Sequence, residues 1–281
     1  MSEFLLELYS EEIPPKLQIN ARTELQFLIK KGLDEESVKY KTIGSYSSPT
    51  RLTIIIKEIP DKIKIPSKEI KGPKVGVLDD ILNSFLRSHN ASKKDVYEKE
   101  SDKGKFYYLN TKSKEILSQD LLTKITLNSI ASLNWKKSMK WGDSNLVWGR
   151  PLRSILAVFN KKLLSFKYGH LKSTDKIILN KNFNIQYKKI KTFSEYCSFL
   201  KNNKIIIDQE QRKKIISKKF ESICNTKNFR RDFNDKLLDE VVNLVEDPNI
   251  LLIDFNKKYL ELPSEIIIST LQNHQKYFPL F

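Results

Sequence analysis

The order of apolar and polar positions predicts a strand followed by a helix at the start of the chain. Residues 4–9 form an apolar run of the length of one strand. Pro14 and Pro15 then prevent the strand from continuing but suit the first turn of a helix. Apolar residues at 17, 21, 25 and 28 recur at helical spacing, and Gly32 is expected to end this helix.

Two extended runs follow within 34–59, with a polar break predicted over 45–49. The second run, 52–56, is mostly β-branched and is therefore expected near the centre of a sheet. A basic, Pro-containing connection is predicted over 60–75. This strand, helix, strand, strand order is typical of an α+β layer.

The middle of the chain continues the same mixture. A short helix is predicted over 77–86, with one apolar face formed by Leu78, Ile81, Leu82 and Phe85. A hairpin is predicted over 93–110, turning at 102–104. An amphipathic helix is predicted over 114–133.

The stretch 139–159 is the most distinctive part of the sequence. It places Trp141 beside Gly142, then interrupts the chain at Arg150-Pro151, and ends in the apolar run 152–159, which predicts a buried strand. Residues 163–168 are expected to pair with this strand. An ordinary turn into a core strand explains the pattern. The alternative is that Arg150, held at a strand entrance, faces a ligand or another chain.

The remaining pattern predicts helices over 192–200, 208–225, 236–245 and 264–271, and a strand over 250–255. Together these elements predict an α+β fold with mixed, largely antiparallel sheets packed with amphipathic helices. We expect two subdomains, 1–135 and 136–281. The second is expected to carry a helical insertion near 192–227 and to be truncated at its C-terminal end.

Net charge adds a candidate partner. The chain has 50 Lys and Arg against 34 Asp and Glu, a formal net charge of +16, which favours a polyanion such as tRNA. Biased composition is the alternative, because the lysines are spread along the chain. In the helix 208–225 one outer face carries Lys213, Lys214, Lys218 and Lys219. This face either follows a phosphate backbone or is simply solvated.

Catalytic chemistry is harder to find in the sequence. No G-x-G-x-x-G or P-loop pattern occurs, and the histidines at 89, 170 and 274 lack metal-ligand spacing, so no catalytic residue, metal or cofactor is assigned to this chain. Glu11 and Glu12 are adjacent and should point in opposite directions. Residues 274–278 mix polar donors with aromatic rings, which suits either stacking on a base or closing the core.

Cellular location can be predicted from two further features. Two distant cysteines indicate a reducing compartment, and no apolar run is long enough to span a membrane, so a cytoplasmic protein is expected. The terminal residues 277–281 are strongly apolar, which leads us to expect that the chain end is not a natural domain boundary.

Four segments in order resemble the beta subunit of the bacterial two-subunit glycyl-tRNA synthetase. They are an N-terminal segment with Glu11, Glu12 and Pro14; Pro49-x-Arg51-Leu52; Trp141-Gly142 followed by Arg150-Pro151; and Pro263-x-Glu265 followed by Gln275-Lys276-Tyr277-Phe278-Pro279. Lys71-Gly72-Pro73 is similar to another element of the family. The family's Gly-His-Arg-Phe element is replaced here by 179–183, which puts a site built on it in doubt.

The resemblance implies a non-catalytic, tRNA-associated subunit, or an N-terminal fragment of one. In this family glycine and ATP react on a separate alpha subunit, where ATP and magnesium are expected. Implied partners are that alpha subunit and tRNA(Gly), in a hetero-oligomer, with Lys71, Arg150 and the four helix lysines as candidate tRNA contacts. The alternatives are a free-standing basic RNA-binding protein that has lost the synthetase role, or a purely structural α+β protein.

Overall fold

A computed structural model describes residues 2–65, 67, 69–101, 104–111, 114–142, 145–181, 184–230 and 235–281. The chain forms two compact units, one comprising Met1–Pro60 with Leu122–Phe281 and the other Asp61–Leu121. These units divide the chain at other positions than the predicted subdomains 1–135 and 136–281. The compact units do not show whether residues 1–135 and 136–281 fold separately, so the two predicted subdomains stay a prediction.

The chain begins with β1 (Glu3–Ser10), α1 (Pro15–Glu35), β2 (Thr42–Ser48) and β3 (Arg51–Lys57). β3 pairs antiparallel with both β1 and β2. Pro15 occupies the first turn of α1, as predicted, and the helix buries one stripe at helical spacing, formed by Gln18, Ala21, Leu25, Ile29 and Leu33. The predicted strand, helix, strand, strand order is confirmed.

Two predicted boundaries in this segment are wrong. Gly32 does not end α1, which continues to Glu35. A Cβ atom at Gly32 would lie 2.8 Å from Cγ2 of Ile125, so close packing explains this glycine. The predicted break over 45–49 is also wrong, because β2 runs through Ser48 and the chain turns at 49–50.

The unit Asp61–Leu121 contains β4 (Lys62–Ile65), β5 (Glu69–Lys74), α2 (Asp79–Ser88), a 3₁₀ turn (Lys93–Asp95), β6 (Val96–Ser101), β7 (Gly104–Asn110) and β8 (Lys114–Leu117). β6 and β7 form the predicted hairpin, whose turn residues 102 and 103 lie outside the described residues. A connection over 60–75 was the wrong prediction, since β4 and β5 lie there. Gly72 and Pro73 fall at an irregularity between β5 and β7, where a missing donor is tolerated.

The predicted apolar face of α2 is only partly buried. Leu82 is buried and Phe85 is partly buried, whereas Leu78 precedes the helix and is 77% exposed and Ile81 is 50% exposed. Leu86, outside the predicted face, is also buried. The strand β8 occupies the start of the helix predicted over 114–133, which begins only at 118.

The chain continues through α3 (Ser118–Ser132), β9 (Met139–Lys140), β10 (Val147–Trp148), β11 (Leu152–Phe159), β12 (Lys162–Leu163), β13 (Lys167–Tyr168), β14 (Leu171–Thr174), β15 (Lys176–Lys181) and β16 (Asn184–Lys189). It ends with α4 (Phe193–Asn202), α5 (Gln209–Lys227), α6 (Asp235–Val242), a 3₁₀ turn (Lys257–Glu261), α7 (Ser264–Ser269) and a π-helical turn (Thr270–His274).

The main sheet of the larger unit has the strand order β13-β14-β11-β1-β3-β2, with β12 paired to β11. Its pairings are antiparallel except between β11 and β14. One face of β1, β3 and β11 packs against β15 and α4 in a core that includes Leu5, Ile55, Leu156, Leu179 and Leu200. The α+β class with mixed, largely antiparallel sheets is therefore confirmed.

The second half of the chain corrects three further predictions. Of the residues predicted to pair with β11, Leu163 is in the ladder with Lys162 and Leu164 donates its backbone N–H to Ala157, after which the chain turns into β13. The hairpin of β15 and β16 was not predicted, and residues 182 and 183 at its turn lie outside the described residues. The predicted strand over 250–255 has no regular structure, and its apolar side chains Leu251, Leu252, Ile253 and Phe255 are exposed.

Two helices in this half begin with a side-chain cap. Thr192 accepts a hydrogen bond from the backbone of Glu195, and Asp208 accepts from Glu210 and Gln211. Within the described parts of the chain, no helix has the length and apolar character needed to cross a bilayer.

Candidate functional site

An acidic residue lies inside the first apolar strand. Glu7 is 1% exposed and shares a sheet face with Leu5 and Tyr9, because side chains alternate along β1. The neighbouring strand β3 places Thr53 opposite Glu7 and Arg51 opposite Tyr9. The sheet register thus brings the family-motif residue Arg51 next to Glu7 in the core.

Arg51 and Glu7 form a buried ion pair, and Tyr196 of α4 is hydrogen-bonded to Glu7. Arg51 Nη1 lies 3.6 Å from Glu7 Oε2, and Tyr196 Oη donates a hydrogen bond to the same oxygen at 2.6 Å. The Tyr196 hydroxyl also lies 2.8 Å from Thr53 Oγ1. Because its hydrogen goes to Glu7, Thr53 is the donor in this second bond. The network joins two strands to a helix.

Burial dominates the electrostatics of this network. Loss of solvation raises the pKa of Glu7, an effect that Arg51 opposes, and burial also raises the pKa of Tyr196 well above its ordinary value. Arg51 Nη2 donates to the carbonyl of Ile178 at 2.7 Å. Within the described residues, Nε and Nη1 of Arg51 lack a hydrogen-bond partner.

A surface cleft lies beside this network. The guanidinium of Arg51 stacks on the Tyr9 ring at 4.4 Å, and Tyr9 also lines a cleft of about 360 Å³. We call it the ring-lined cleft because it is bordered by the rings of Tyr9, Trp141, His170 and Tyr187. The rest of its lining is formed by Pro151, Arg153 and Asn180 and by the aliphatic residues Leu152, Leu171, Ile178 and Ile185. It therefore collects Trp141 and Pro151, two of the residues that carry the family resemblance.

Local backbone geometry places two of the rings. Gly142 after Trp141 and Gly169 before His170 have φ angles of +58° and +59°, in the left-handed region that glycine adopts without strain. The Trp141 and His170 rings meet edge to face with their centroids 6.2 Å apart. The turn after β9 and the turn between β13 and β14 thus bring together two rings that are far apart in sequence.

The hairpin of β15 and β16 supplies another wall of the ring-lined cleft. Tyr187 pairs with Ile178, and Ile185 pairs with Asn180. Ile177 and Leu179, on the opposite face of β15, are buried in the core. Strand alternation therefore holds Tyr187 at the cleft, where it remains 62% exposed.

The two glutamates of the N-terminal motif have different surroundings. Glu11 forms an ion pair with Arg153 of β11 at the rim of the cleft, whereas Glu12 is exposed. Pro14 is the residue directly before α1, and its side chain makes no capping hydrogen bond. The motif therefore forms the turn between β1 and α1 and contributes one charge to the rim.

The segment around Arg150 is tightly packed. Trp148 is 1% exposed and packs on Trp135 with ring centroids 4.9 Å apart. A Cβ atom at Gly149 would lie 2.2 Å from Trp135, so glycine is required there by close approach. Arg150 is partly buried and donates Nη1 to the carbonyl of Gly149. A role for Arg150 in contacting tRNA stays a prediction.

The predicted lysine stripe is only partly available on α5. Lys214, Lys218 and Lys219 are exposed. Lys213 Nζ instead lies 2.8 Å from Asp239 Oδ1, a hydrogen bond that raises the pKa of Lys213. Lys71 belongs to the unit Asp61–Leu121, where its Nζ lies 3.6 Å from the centroid of the Phe106 ring. The predicted tRNA contacts are therefore distributed between the two units.

The C-terminal motif is partly packed and partly exposed. Phe278 packs edge to face on Phe220 and joins the hydrophobic cluster of α5 and α6. Lys276 Nζ lies 3.1 Å from Glu240 Oε2, while Gln275 and Tyr277 remain partly or largely exposed. Phe278 thus helps to close a core, and base stacking by Tyr277 stays a prediction.

Arg212 is a buried residue that sequence reasoning missed. It lies one position before the lysine stripe, is 0% exposed, and donates hydrogen bonds only to backbone carbonyls in the described chain: Ser47, Ile206, Ile207 and Val242. Burial lowers its pKa to about 10, so it remains charged at neutral pH. Its charged neighbours in the sequence gave no sign that this one arginine faces inward.

Comparison with known proteins gives one consistent family. A sequence model described as glycyl-tRNA synthetase beta subunit matches residues 4–281. The chain is 34% identical over 285 residues to the glycine–tRNA ligase beta subunit of Rickettsia felis, and 34% identical over 281 residues to that of Rickettsia prowazekii. Each alignment covers 100% of this chain and 42% of the relative. The chain therefore belongs to the glycyl-tRNA synthetase beta subunit family.

Proposed function

We propose that this chain acts as an N-terminal portion of a glycine–tRNA ligase beta subunit. It is a tRNA-associated, non-catalytic part that supports attachment of glycine to tRNA(Gly) by an alpha subunit, in the cytoplasm. The observation that carries the proposal is the family match over residues 4–281, with 34% identity to proteins of that name. The chain spans 42% of the length of these relatives, so it is proposed as one part of the activity.

Charge and structure support this division of labour. A formal net charge of +16 suits a subunit that approaches tRNA. The buried charged groups Glu7, Arg51 and Arg212 hold strands and helices together, which suits a scaffold for RNA contacts. Glycine, ATP and magnesium are assigned to the alpha subunit, where the adenylate would form.

The proposal predicts activity only in combination. The chain should co-purify with an alpha subunit of the same family, and it should show no glycine-dependent ATP–pyrophosphate exchange by itself. Glycylation of tRNA(Gly) should require the alpha subunit. If these 281 residues with the alpha subunit give no glycylation, adding the rest of a beta subunit should restore it. Exchange activity with this chain as the only protein would contradict the proposal. RNA binding without any alpha-subunit association would favour the free-standing RNA-binding alternative.

A second prediction concerns the exposed lysines of α5. Replacing Lys214, Lys218 and Lys219 together by glutamate should weaken tRNA binding at low salt by roughly tenfold or more, because phosphate contacts release counterions. The slope of log affinity against log salt should become shallower by about one for each lysine that contacts a phosphate. Lys213 is left unchanged because a glutamate there would face Asp239. Fluorescence anisotropy of labelled tRNA over a salt series measures both quantities.

A charge-matched variant provides the control. Lys16, Lys30 and Lys39 are also exposed, and changing them to glutamate alters the net charge equally. If both triple variants lose the same affinity and slope, the α5 lysines are a solvated face and contribute only through net charge.

A further inference from the structure

The ring-lined cleft has a composition that the scaffold role does not explain. Its rings come from β1, from the turn after β9, from the turn before β14 and from β16. Tyr187 is 62% exposed on β16, a strand whose side chains are all exposed, while the paired strand β15 packs Ile177 and Leu179 in the core. An aromatic side chain in that position contributes no core packing. Its free face is available to a planar partner.

Polar groups stand beside these rings. Asn180 lines the cleft and offers both donors and an acceptor. Arg153 lines it too, and its ion pair with Glu11 lies at the surface, where such pairs contribute little and exchange partners easily. Strand alternation also places Lys176 and Lys189 on the hairpin face that carries Ile178 and Tyr187, where Lys189 forms an ion pair with Asp175 at 2.8 Å and Lys176 is exposed. The site therefore combines flat apolar surfaces, an amide and positive charge.

We propose that the ring-lined cleft binds an unpaired nucleobase. The base stacks on Trp141 and Tyr187, Asn180 hydrogen-bonds its polar edge, and Arg153 contacts the attached phosphate. Ring side chains with nearby cations are the usual platform for single-stranded nucleic acid. The cleft volume of about 360 Å³ lies at the small end of ligand sites, which suits one nucleotide unit.

This composition fits a nucleobase better than a purely apolar ligand. An apolar ligand would cover Asn180 and Arg153 without satisfying their hydrogen-bonding groups, which is costly. The inference deepens the proposed function, on which it rests, by adding a base contact to the phosphate contacts of a tRNA-associated chain. The same chemistry would accept a base from a free nucleotide, and the experiment below separates these two sources.

Tryptophan fluorescence provides a direct measurement. Trp135 and Trp148 pack against each other, and Trp148 is buried, whereas Trp141 lies at the cleft. Single-stranded hexa-adenylate should quench Trp141 emission, and the Trp141→Phe variant identifies that signal. A hexamer of the same charge with abasic sites should not quench at the same salt concentration. AMP should also quench: weaker binding than the hexamer identifies an RNA strand as the source, and equal or tighter binding identifies a free nucleotide.

A hairpin variant measures the contribution of stacking. Tyr187→Ala should weaken hexa-adenylate binding by about 5- to 100-fold. Tyr259→Ala removes a tyrosine that is 48% exposed outside the cleft, and it should leave the affinity within about twofold. Equal quenching by the abasic and normal hexamers, or equal affinities of the two tyrosine variants, would overturn the base site.

The result is separable from the test of the proposed function. Base binding is measured on the chain alone and needs no alpha subunit. Failure of the cleft test together with successful co-purification and glycylation refutes the base site and leaves the beta-subunit role intact. Base binding without alpha-subunit association supports the cleft and contradicts the subunit role.

Discussion

Replacement of Arg51 by methionine is expected to lower the free energy of unfolding by about 3–5 kcal/mol. Arg51 is 1% exposed and carries the positive charge nearest to the carboxylate of Glu7 on β1. Methionine fills a similar volume but leaves Glu7 buried without a cation and removes the donor to the Ile178 carbonyl. Urea denaturation followed by circular dichroism measures the change.

The stability of this variant should also fall as the pH rises. Burial already raises the pKa of Glu7 above its ordinary value of 4.5, and loss of Arg51 removes an effect that lowers it. Above pH 4.5 the folded protein then binds more protons than the unfolded chain. Stability should therefore decrease by up to about 1.4 kcal/mol per pH unit until the folded-state pKa is passed.

Two variants make this interpretation testable. The double variant Glu7→Gln/Arg51→Met removes the titrating group, so its pH dependence should be weaker than that of Arg51→Met. Arg153→Met breaks the exposed ion pair with Glu11 and should change stability by at most about 1 kcal/mol. A pH-independent loss in Arg51→Met, or equal losses in Arg51→Met and Arg153→Met, would contradict a buried-charge explanation.

Arg212→Met is expected to destabilise the chain by a similar amount, about 3–5 kcal/mol. The guanidinium donates to Ser47 of β2, to Ile206 and Ile207 before α5, and to Val242 at the end of α6. Its removal leaves buried carbonyl groups without these donors. The free energy lost with these hydrogen bonds exceeds the free energy gained because the charge of Arg212 is no longer buried. Arg212→Lys should not restore stability, because one ammonium group cannot reach carbonyls on three sides.

The neighbouring lysine offers the matched control. Lys214 lies on the same helix but is exposed, so Lys214→Met should change the free energy of unfolding by no more than about 0.5 kcal/mol. Hydrogen exchange adds a local measurement: the amides of α5 and α6 should lose protection first in Arg212→Met. If the amides of α5 and α6 lose no more protection than those of β1, Arg212 has no local bridging role.

Local chemistry was sufficient for several elements of this protein. The prolines at 14 and 15 start α1, Thr192 and Asp208 cap α4 and α5, and the apolar runs become β1, β3 and β11. These features depend on backbone dihedrals and side-chain bonds within a few residues, which a sequence displays directly. The family motifs were likewise readable, and they placed Trp141 and Pro151 among the residues of interest.

Interactions between distant segments were decided only by the tertiary structure. The sequence contains Glu7 in an apolar strand and Arg51 at a strand entrance, but only the register of β1 and β3 pairs them. Arg212 and Lys213 look equivalent in sequence, yet the turn of α5 buries one against backbone carbonyls and leaves the other near Asp239.

The ring-lined cleft and the segment over 250–255 also depend on tertiary structure. It assembles the cleft from residues without a local pattern, and it leaves an apolar segment without a strand partner. Tyr9, His170 and Tyr187 carry no shared local pattern, and the sheet order and the β15–β16 hairpin bring them together. The apolar run over 250–255 has the composition of a strand but remains irregular, since no described strand lies alongside it. A strand or a site needs a partner surface. Local sequence determines which segments can form a strand or contribute to a site. The folded arrangement determines which of these surfaces meet, because the partners in strand pairing and side-chain burial are residues distant in the chain.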